Sequence, residues 1–484
     1  MTTAAIGAGA VIVVGGVAYY LSSQAPPGPS TTTAAATTSE IMTTGAPVTS
    51  AARPSTELVF SVWEWNPAMV KENVDVFNQQ YNENARMDLV PGDYYATLES
   101  RIIAKTPVHM VYQHMPWMTR WYKAGWLQPL DDIEGINDMA NDMIPYLWDY
   151  VQMPDGKHLG SIYWFGTFTV QYNGKVLQKA GLADADGYIT DPPKTWDDLL
   201  NQCEQMKKAG IADTPLLNRW NQEFSWNICQ GFEFQCICEG EELVDKKTHD
   251  PIFDLNTPVL AVCENMRDAY KRKLVPEGIL TQTLSENEQV FSTGKYAYAV
   301  EVDYNIGNIY NVPEKSPDAG SFHFMSPQPG KAQTGGMVYP AFYALTNHKY
   351  YNRPADEAKR TENLFKFYSW KDKNGDYLVA KKWMKEFYLG QAYKPLFEDP
   401  EIVASYRKYY SEKDWELLKQ NNFTGEPQWA MRGVVWYAPW REKLQEMLQS
   451  LVLGKVSPKD TVTNMRALAD ELRKKYGGAE VWTS

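Results

Sequence analysis

Basic residues are in short supply in this sequence, and cysteine and histidine more so. Asp and Glu number 59 against 47 Lys and Arg, a net charge of -12 over 484 residues. Phosphate backbones are held by clustered Lys and Arg, so this balance argues against a nucleic-acid binder. The six His (109, 114, 158, 249, 323 and 348) show no ligand spacing, and only His114 falls at the end of an expected strand. The five Cys are Cys203, Cys229, Cys236, Cys238 and Cys263. They contain no C-x-x-C pair, which disfavours zinc; in an extracellular body one or two disulfides are the expectation, with open connectivity. GxxxxGK[ST], G-x-S-x-G and H-E-x-x-H are all missing, which leaves a phosphate cradle, a nucleophile elbow and a zinc-protease helix unsupported. No catalytic residue, metal or cofactor is expected.

Charge is also missing from the first 39 residues; Glu40 is the first side chain charged at pH 7. Within that stretch Ala4–Leu21 is an uninterrupted apolar run, about 27 Å long as a helix, which suits a membrane anchor over residues 1–21. A cleaved signal peptide would carry a basic start, which this chain lacks. Residues 22–56 are rich in Ser, Thr, Ala and Pro and read as a disordered, O-glycosylated stalk. Anchor and stalk together place the body outside the cell, on the cytoplasmic membrane. The sequon Asn422-Phe-Thr424 agrees with that, as an isolated signal.

Aromatic residues, in contrast, are abundant, with 17 Trp and 30 Tyr. Most of these rings serve packing; the surplus suits a ligand with apolar faces and hydroxyl edges, such as a sugar. From Glu57 the pattern alternates strand and helix, which implies a parallel sheet covered by helices, with ligands expected beyond the strand C-termini. Three successive strand ends carry Trp63 and Glu64, Asp93 and Tyr94, and Tyr112 and Gln113. Ser161–Gln171 reads as a buried strand containing Trp164, followed by an Asn173-Gly174 turn and a helix opened by Thr195 with Asp198 three residues on. This stretch marks a passage from one lobe to another. Further on, Trp226, Asp303 with Tyr304, Gly335 with Gly336, and Arg432 with Trp436 stand near strand ends or loops. The last helix is expected to be capped by Asp460. The carboxylates Glu64, Asp93, Glu301 and Asp303 admit a glycosidase pair, whose separation a sequence cannot show; hydroxyl binding is the broader expectation.

Several segments resemble the extracellular solute-binding proteins of carbohydrate ABC transporters, the maltose-binding-like group. They are Leu58–Trp63, Ala124–Asp132, Tyr172–Leu182, Pro193–Leu199 and Phe291–Ala297, in the family's order. The chain departs from the pattern at Pro107-Val108, where the family usually has Pro-Asp, and at Asn173-Gly174, where it has Asn-Lys. Anchors and Ser/Thr-rich stalks of this kind occur in archaeal members, which points to an archaeal source.

The resemblance implies an α/β, two-lobed periplasmic-binding-protein-like fold of type II, each lobe a mainly parallel sheet. Lobe 1 would hold 57–163 and 323–370, and lobe 2 164–322 and 371–484, with crossings near Tyr163–Gly166, Ser321–Phe324 and Trp370–Asp376. By position, family site residues fall on Tyr112, Asp303, Tyr304, Gly335, Gly336 and Trp436. Strand-end reasoning adds Trp63, Glu64, Asp93, Tyr94, Gln113, Trp164, Trp226 and Arg432. The expected activity is capture of a sugar between hinged lobes and its delivery to a permease, without catalysis. A cell-surface glycosidase and a pilin-like, self-assembling surface protein are the alternatives.

Overall fold

The computed structural model describes residues 52–221 and 227–482; the expected anchor, most of the stalk and Trp226 lie outside them. Strand β1 (Leu58–Val62) is an apolar run buried along its whole length. It pairs in parallel with β2 (Ala85–Leu89) on one side and β3 (Met110–Gln113) on the other. The helix Pro67–Tyr81 connects β1 to β2 and buries Val70, Val74 and Phe77, spaced at helical period.

Two long strands run through the middle of the sheet. They are β4 (Gly160–Asn173) and β8 (Met337–Leu345), antiparallel from Gly160 opposite Ala344 to Phe168 opposite Met337, with a register shift between Ile162 and Trp164. At one end β8 pairs with β3, Met110 opposite Leu345. At the other, β4 pairs with β6 (Tyr298–Val302) and β7 (Phe322–Phe324). The short strands β5 (Leu216–Leu217) and β9 (Glu426–Pro427) add to β6 and β8, giving the order β2-β1-β3-β8-β4-β6-β5 with β7 on β4 and β9 on β8.

Several expectations change here. The sheet is mixed rather than mainly parallel: β1–β2, β1–β3, β5–β6 and β8–β9 are parallel, but every pairing made by β4 is antiparallel, as is β3–β8. A strand as long as β4 needs a partner across both halves of the sheet, and the apolar run of β8 supplies it. The second crossing is therefore β8 itself. Phe322–Phe324 bonds to Gln171–Asn173 and stays within one half. Nor does Trp370–Asp376 cross over: Trp370 Nε1 donates to Asp142 (2.8 Å) and Gln80 Nε2 to Asp372 (2.8 Å), keeping this loop with the β1–β3 half. The last helix, Pro458–Tyr476, is capped by Ser457, whose hydroxyl accepts from Asp460 N at 3.1 Å. The helix Trp196–Lys208 does open on the reciprocal Thr195–Asp198 capping box.

The five cysteines are buried, free thiols on the helices Trp196–Lys208, Asn227–Cys238 and Val259–Lys271, so the disulfide expectation fails. Burial pushes the pKa of each thiol up. Asn422 is also buried, its Oδ1 accepting from Thr167 Oγ1 at 2.8 Å, which leaves the sequon no room for a glycan in the folded protein. Among the described residues no helix is long and apolar enough to cross a membrane, and no group of three or more metal-ligating side chains is gathered.

Candidate functional site

The three strand ends read from the sequence do converge, but much of what they carry is scaffold. Tyr94 is buried; its hydroxyl lies 2.9 Å from the Ser61 carbonyl and accepts from Tyr112 N at 2.9 Å, lashing β1 to β3. Asp93 caps the helix Tyr94–Ile103, accepting from Ala96 N at 3.0 Å. Exposed Glu64 accepts from Gly92 N at 3.3 Å. Tyr112 is fully buried beneath Trp63, with ring centroids 4.5 Å apart. Gln113 is fully buried, and neither of its side-chain polar atoms has a partner among the described residues. What reaches the surface is Trp63, half-buried and stacked on His114 at 5.0 Å. The Tyr95 hydroxyl meets His114 Nδ1 at 2.8 Å. Burial, with the Arg441 charge adding, lowers His114 to about 4, so its ring is neutral at pH 7.

The crossing supplies a second group of rings. Trp164 sits at the register shift of β4, edge-on to Tyr304 (6.0 Å) and 6.5 Å from Trp65. Trp65 is 39% exposed and stacks on Trp383 of the helix Leu378–Phe387. Gly166 makes room for Tyr304: a Cβ there would stand 3.1 Å from the Tyr304 ring. Tyr339 of β8 is half-buried, 5.6 Å from His114. Asp303 is buried beside these rings and accepts from Thr167 N (3.1 Å) and Tyr304 N (2.9 Å). Burial raises its pKa to about 7, against the pull of those amides.

Other expected site residues have structural work. A Cβ on Gly335 would run into the helix Glu412–Thr424, and one on Gly336 into the Phe168 carbonyl; Gly336 also has φ +132°. These glycines allow close packing against Asn421, Thr424 and Phe168. Trp436 is fully buried, its indole N–H donating to the His249 carbonyl at 2.8 Å. Arg432 donates to the Asp149 carbonyl at 2.8 Å and lies over the Trp429 ring.

Two ion-pair clusters stand near the rings. Arg219 donates to Glu301 (2.9 Å) and Glu288 (2.7 Å), and Glu301 also accepts from Asn287 at 3.0 Å. Arg441 grips Glu233 with two bonds, 2.7 and 2.9 Å, while Tyr437, one turn earlier on the same helix, donates to Glu233 at 2.8 Å. Gln428 Nε2 also donates to Glu233. Tyr339 is held up at about 12 by burial first, within electrostatic reach of Arg441, Glu233 and Arg219. Tyr304 feels Glu288 and Arg219 in the same way. Glu288 is raised to about 7, by burial and by Glu301, which shares its arginine. Sequence reasoning did not single out Glu233, Glu288, Tyr339 or Arg441 as site residues. The one local signal was the spacing of Tyr437 and Arg441 on one helix face.

The resulting arrangement is a set of partly exposed rings from both sheet halves, beside charges that are already paired. It can stack on apolar faces and exchange hydrogen bonds with hydroxyls. A family model described as bacterial extracellular solute-binding protein matches residues 73–416. Curated relatives include the sn-glycerol-3-phosphate-binding periplasmic proteins UgpB of Rhizobium meliloti, 24% identical over 253 residues (50% of this chain), and of Agrobacterium fabrum, 26% over 278 residues (54%). The chain spans 56% and 60% of the lengths of these relatives. Among solved structures, maltose-bound MalE3 of T. maritima is similar with a TM-score of 0.68 at 16% identity, covering 86% of this chain and 99% of that one. A ribitol complex of an ABC transporter solute-binding protein from Agrobacterium radiobacter K84 has the same TM-score and coverage at 14% identity. At these identities the likeness is one of fold.

Proposed function

The chain belongs to the bacterial extracellular solute-binding protein family, and we propose that it captures a neutral sugar or oligosaccharide between two lobes hinged on β4 and β8, then delivers it to an ABC transporter permease. Capture involves no chemistry. The C–H faces of the sugar pack on Trp63, Trp65, Trp164, Tyr304 and Tyr339, and its hydroxyls bond to His114 and the paired carboxylates. The run Ala4–Leu21 and the Ser/Thr-rich stalk tether the body to the membrane in this reading.

The observation that carries the choice of ligand is the state of the two arginines. Arg219 faces two carboxylates and Arg441 faces one, so these groups sum to a slight negative charge. A phosphate ester needs guanidinium or ammonium groups that are free to pair with it. This favours a neutral, hydroxyl-rich solute over the sn-glycerol-3-phosphate named for the curated relatives. A thermal-shift screen of the full chain tests the reading, because a ligand of the native state raises Tm by mass action. Neutral oligosaccharides are expected to raise Tm and sn-glycerol-3-phosphate to leave it unchanged; the reverse pattern would overturn the proposal.

A further inference from the structure

The last helix, Pro458–Tyr476, packs on the helices Val259–Lys271 and Tyr437–Val452. These belong to the β6 half of the sheet: just past Val259–Lys271, the Leu274 carbonyl accepts from Leu216 N of β5 at 3.0 Å. Beyond Gly477 the chain does not stay there. A short turn, Ala479–Trp482, carries it to the helix Met115–Lys123, which follows β3 in the other half.

The turn is fastened at both ends. At its start, Ala479 N donates to the Thr248 carbonyl at 3.1 Å. Glu480 accepts two bonds from Arg473 of the last helix, 2.7 and 3.0 Å, and one from Gly478 N at 2.9 Å. At its far end, Lys123 Nζ donates to the Val481 carbonyl and lies 4.9 Å over the Trp482 ring. The Tyr122 ring is 6.2 Å from Trp482, 24° from parallel. Trp482 Nε1 donates back to the Gly433 carbonyl at 2.8 Å, and Gly433 N donates to Thr119 Oγ1 at 3.2 Å. Trp482 is therefore bonded to the loop before Tyr437–Val452 and packed on the helix of the opposite half.

The place of this contact decides which way it acts. The helix Met115–Lys123 starts beside His114, at the strand end that forms a wall of the site, and His114 already feels the Arg441 charge from the other half. Parting the halves on this side pulls Tyr122 and Lys123 away from Trp482. We propose that Ala479–Trp482 is a strap that holds the two halves closed and slows release of the bound solute, an inference that rests on the reading of lobes hinged on β4 and β8. Opening breaks the Lys123–Val481 bond and the Lys123–Trp482 and Tyr122–Trp482 contacts, while Ala479 and Glu480 keep their anchors. One hydrogen bond and one exposed cation–π contact together shift the open-to-closed ratio by about tenfold. The apparent affinity for a solute that binds the closed form rises with the fraction of closed protein.

Spin labels on the full chain test the strap without a ligand. Ile103→Cys, on the helix Tyr94–Ile103, and Leu453→Cys, after Tyr437–Val452, place one label on each half; both sites are exposed, and the native cysteines are buried. Double electron–electron resonance then reads the separation of the halves. Trp482→Ala, Lys123→Met and a chain ending at Gly478 are each expected to raise the ratio of long to short separations by about tenfold over the parent. Lys123→Met keeps the strap itself and serves if the shortened chain folds poorly. A parent with two separations whose ratio the variants leave unchanged, even with a lower Tm, would overturn the strap and leave the hinge standing. One fixed separation in parent and variants alike would overturn the hinge and the strap together.

Discussion

Trp63 lies flat on His114, the ring centroids 5.0 Å apart and the planes 9° from parallel, although the two leave different strands. The stack places an indole and a neutral imidazole at the edge where β1 and β3 end. Trp164 and Tyr304 stand edge-on at the crossing, a second platform. The position of each ring decides what its removal does.

Trp164→Ala should weaken sugar binding by about tenfold, the loss of one aromatic contact, with little change in Tm. Trp196, at 2% exposure in the helix Trp196–Lys208, behaves differently. Its removal should cost about 3–5 kcal/mol of stability and leave the affinity of the folded fraction unchanged. Titration calorimetry and urea melts on both variants separate the two roles; equal affinity loss in folded Trp196→Ala would contradict this division.

Releasing Arg219 should change which solutes bind. With Glu288→Gln and Glu301→Gln together, its guanidinium loses both partners. Stability should fall by about 3–5 kcal/mol, as for a buried charge left unpaired. The double variant should then be stabilised by sn-glycerol-3-phosphate where the parent is not. A thermal shift by that ester in the parent, or none in a folded double variant, would count against the charge argument.

Asp303 should make stability fall as pH rises. Its pKa stands near 7 in the folded protein against an ordinary 3.8, so between those values the native state holds a proton that the unfolded chain has released. Raising the pH from 4 to 8 therefore removes stability, up to about 4 kcal/mol from this group if the whole shift is realised. Glu288, also raised to about 7, acts with the same sign. Asp303→Asn should lessen the decline in a series of melts across this range; an identical slope in parent and variant would refute the assignment.

The cysteines should be silent until the protein unfolds. All five are buried with thiol pKa values pushed up by desolvation. An aromatic disulfide reagent at pH 8 should find none of them in the native protein and all five after denaturation, and dithiothreitol should not move Tm. Prompt reaction of any thiol in the native state would show that its helix packing is looser than described.

What could be read in advance was what is encoded locally. The uncharged run Ser161–Gln171 became β4, and Thr195 with Asp198 became a capping box. The crossing role of β8 was invisible, because a run such as Met337–Leu345 does not say which distant strand it will join. Asp93 and Tyr94 were misread for a related reason: strand-end position places a residue near a cleft without deciding whether it turns outward, caps a helix or ties two strands together. The pairs Arg219–Glu301 and Glu233–Arg441 join residues 82 and 208 positions apart, and only tertiary packing brings them together.

The pairing of β4 with β8 bears on how the protein can be taken apart. Both strands serve the two halves of the sheet, and they bond to each other along nearly the full length of β8. Neither half owns a complete set of strands. A fragment cut at the crossing would expose a raw, hydrogen-bonding edge of apolar sequence where its partner had been. The two halves are thus one folding unit that bends in the middle, and they should melt in a single transition even though the ligand finds them as separate walls.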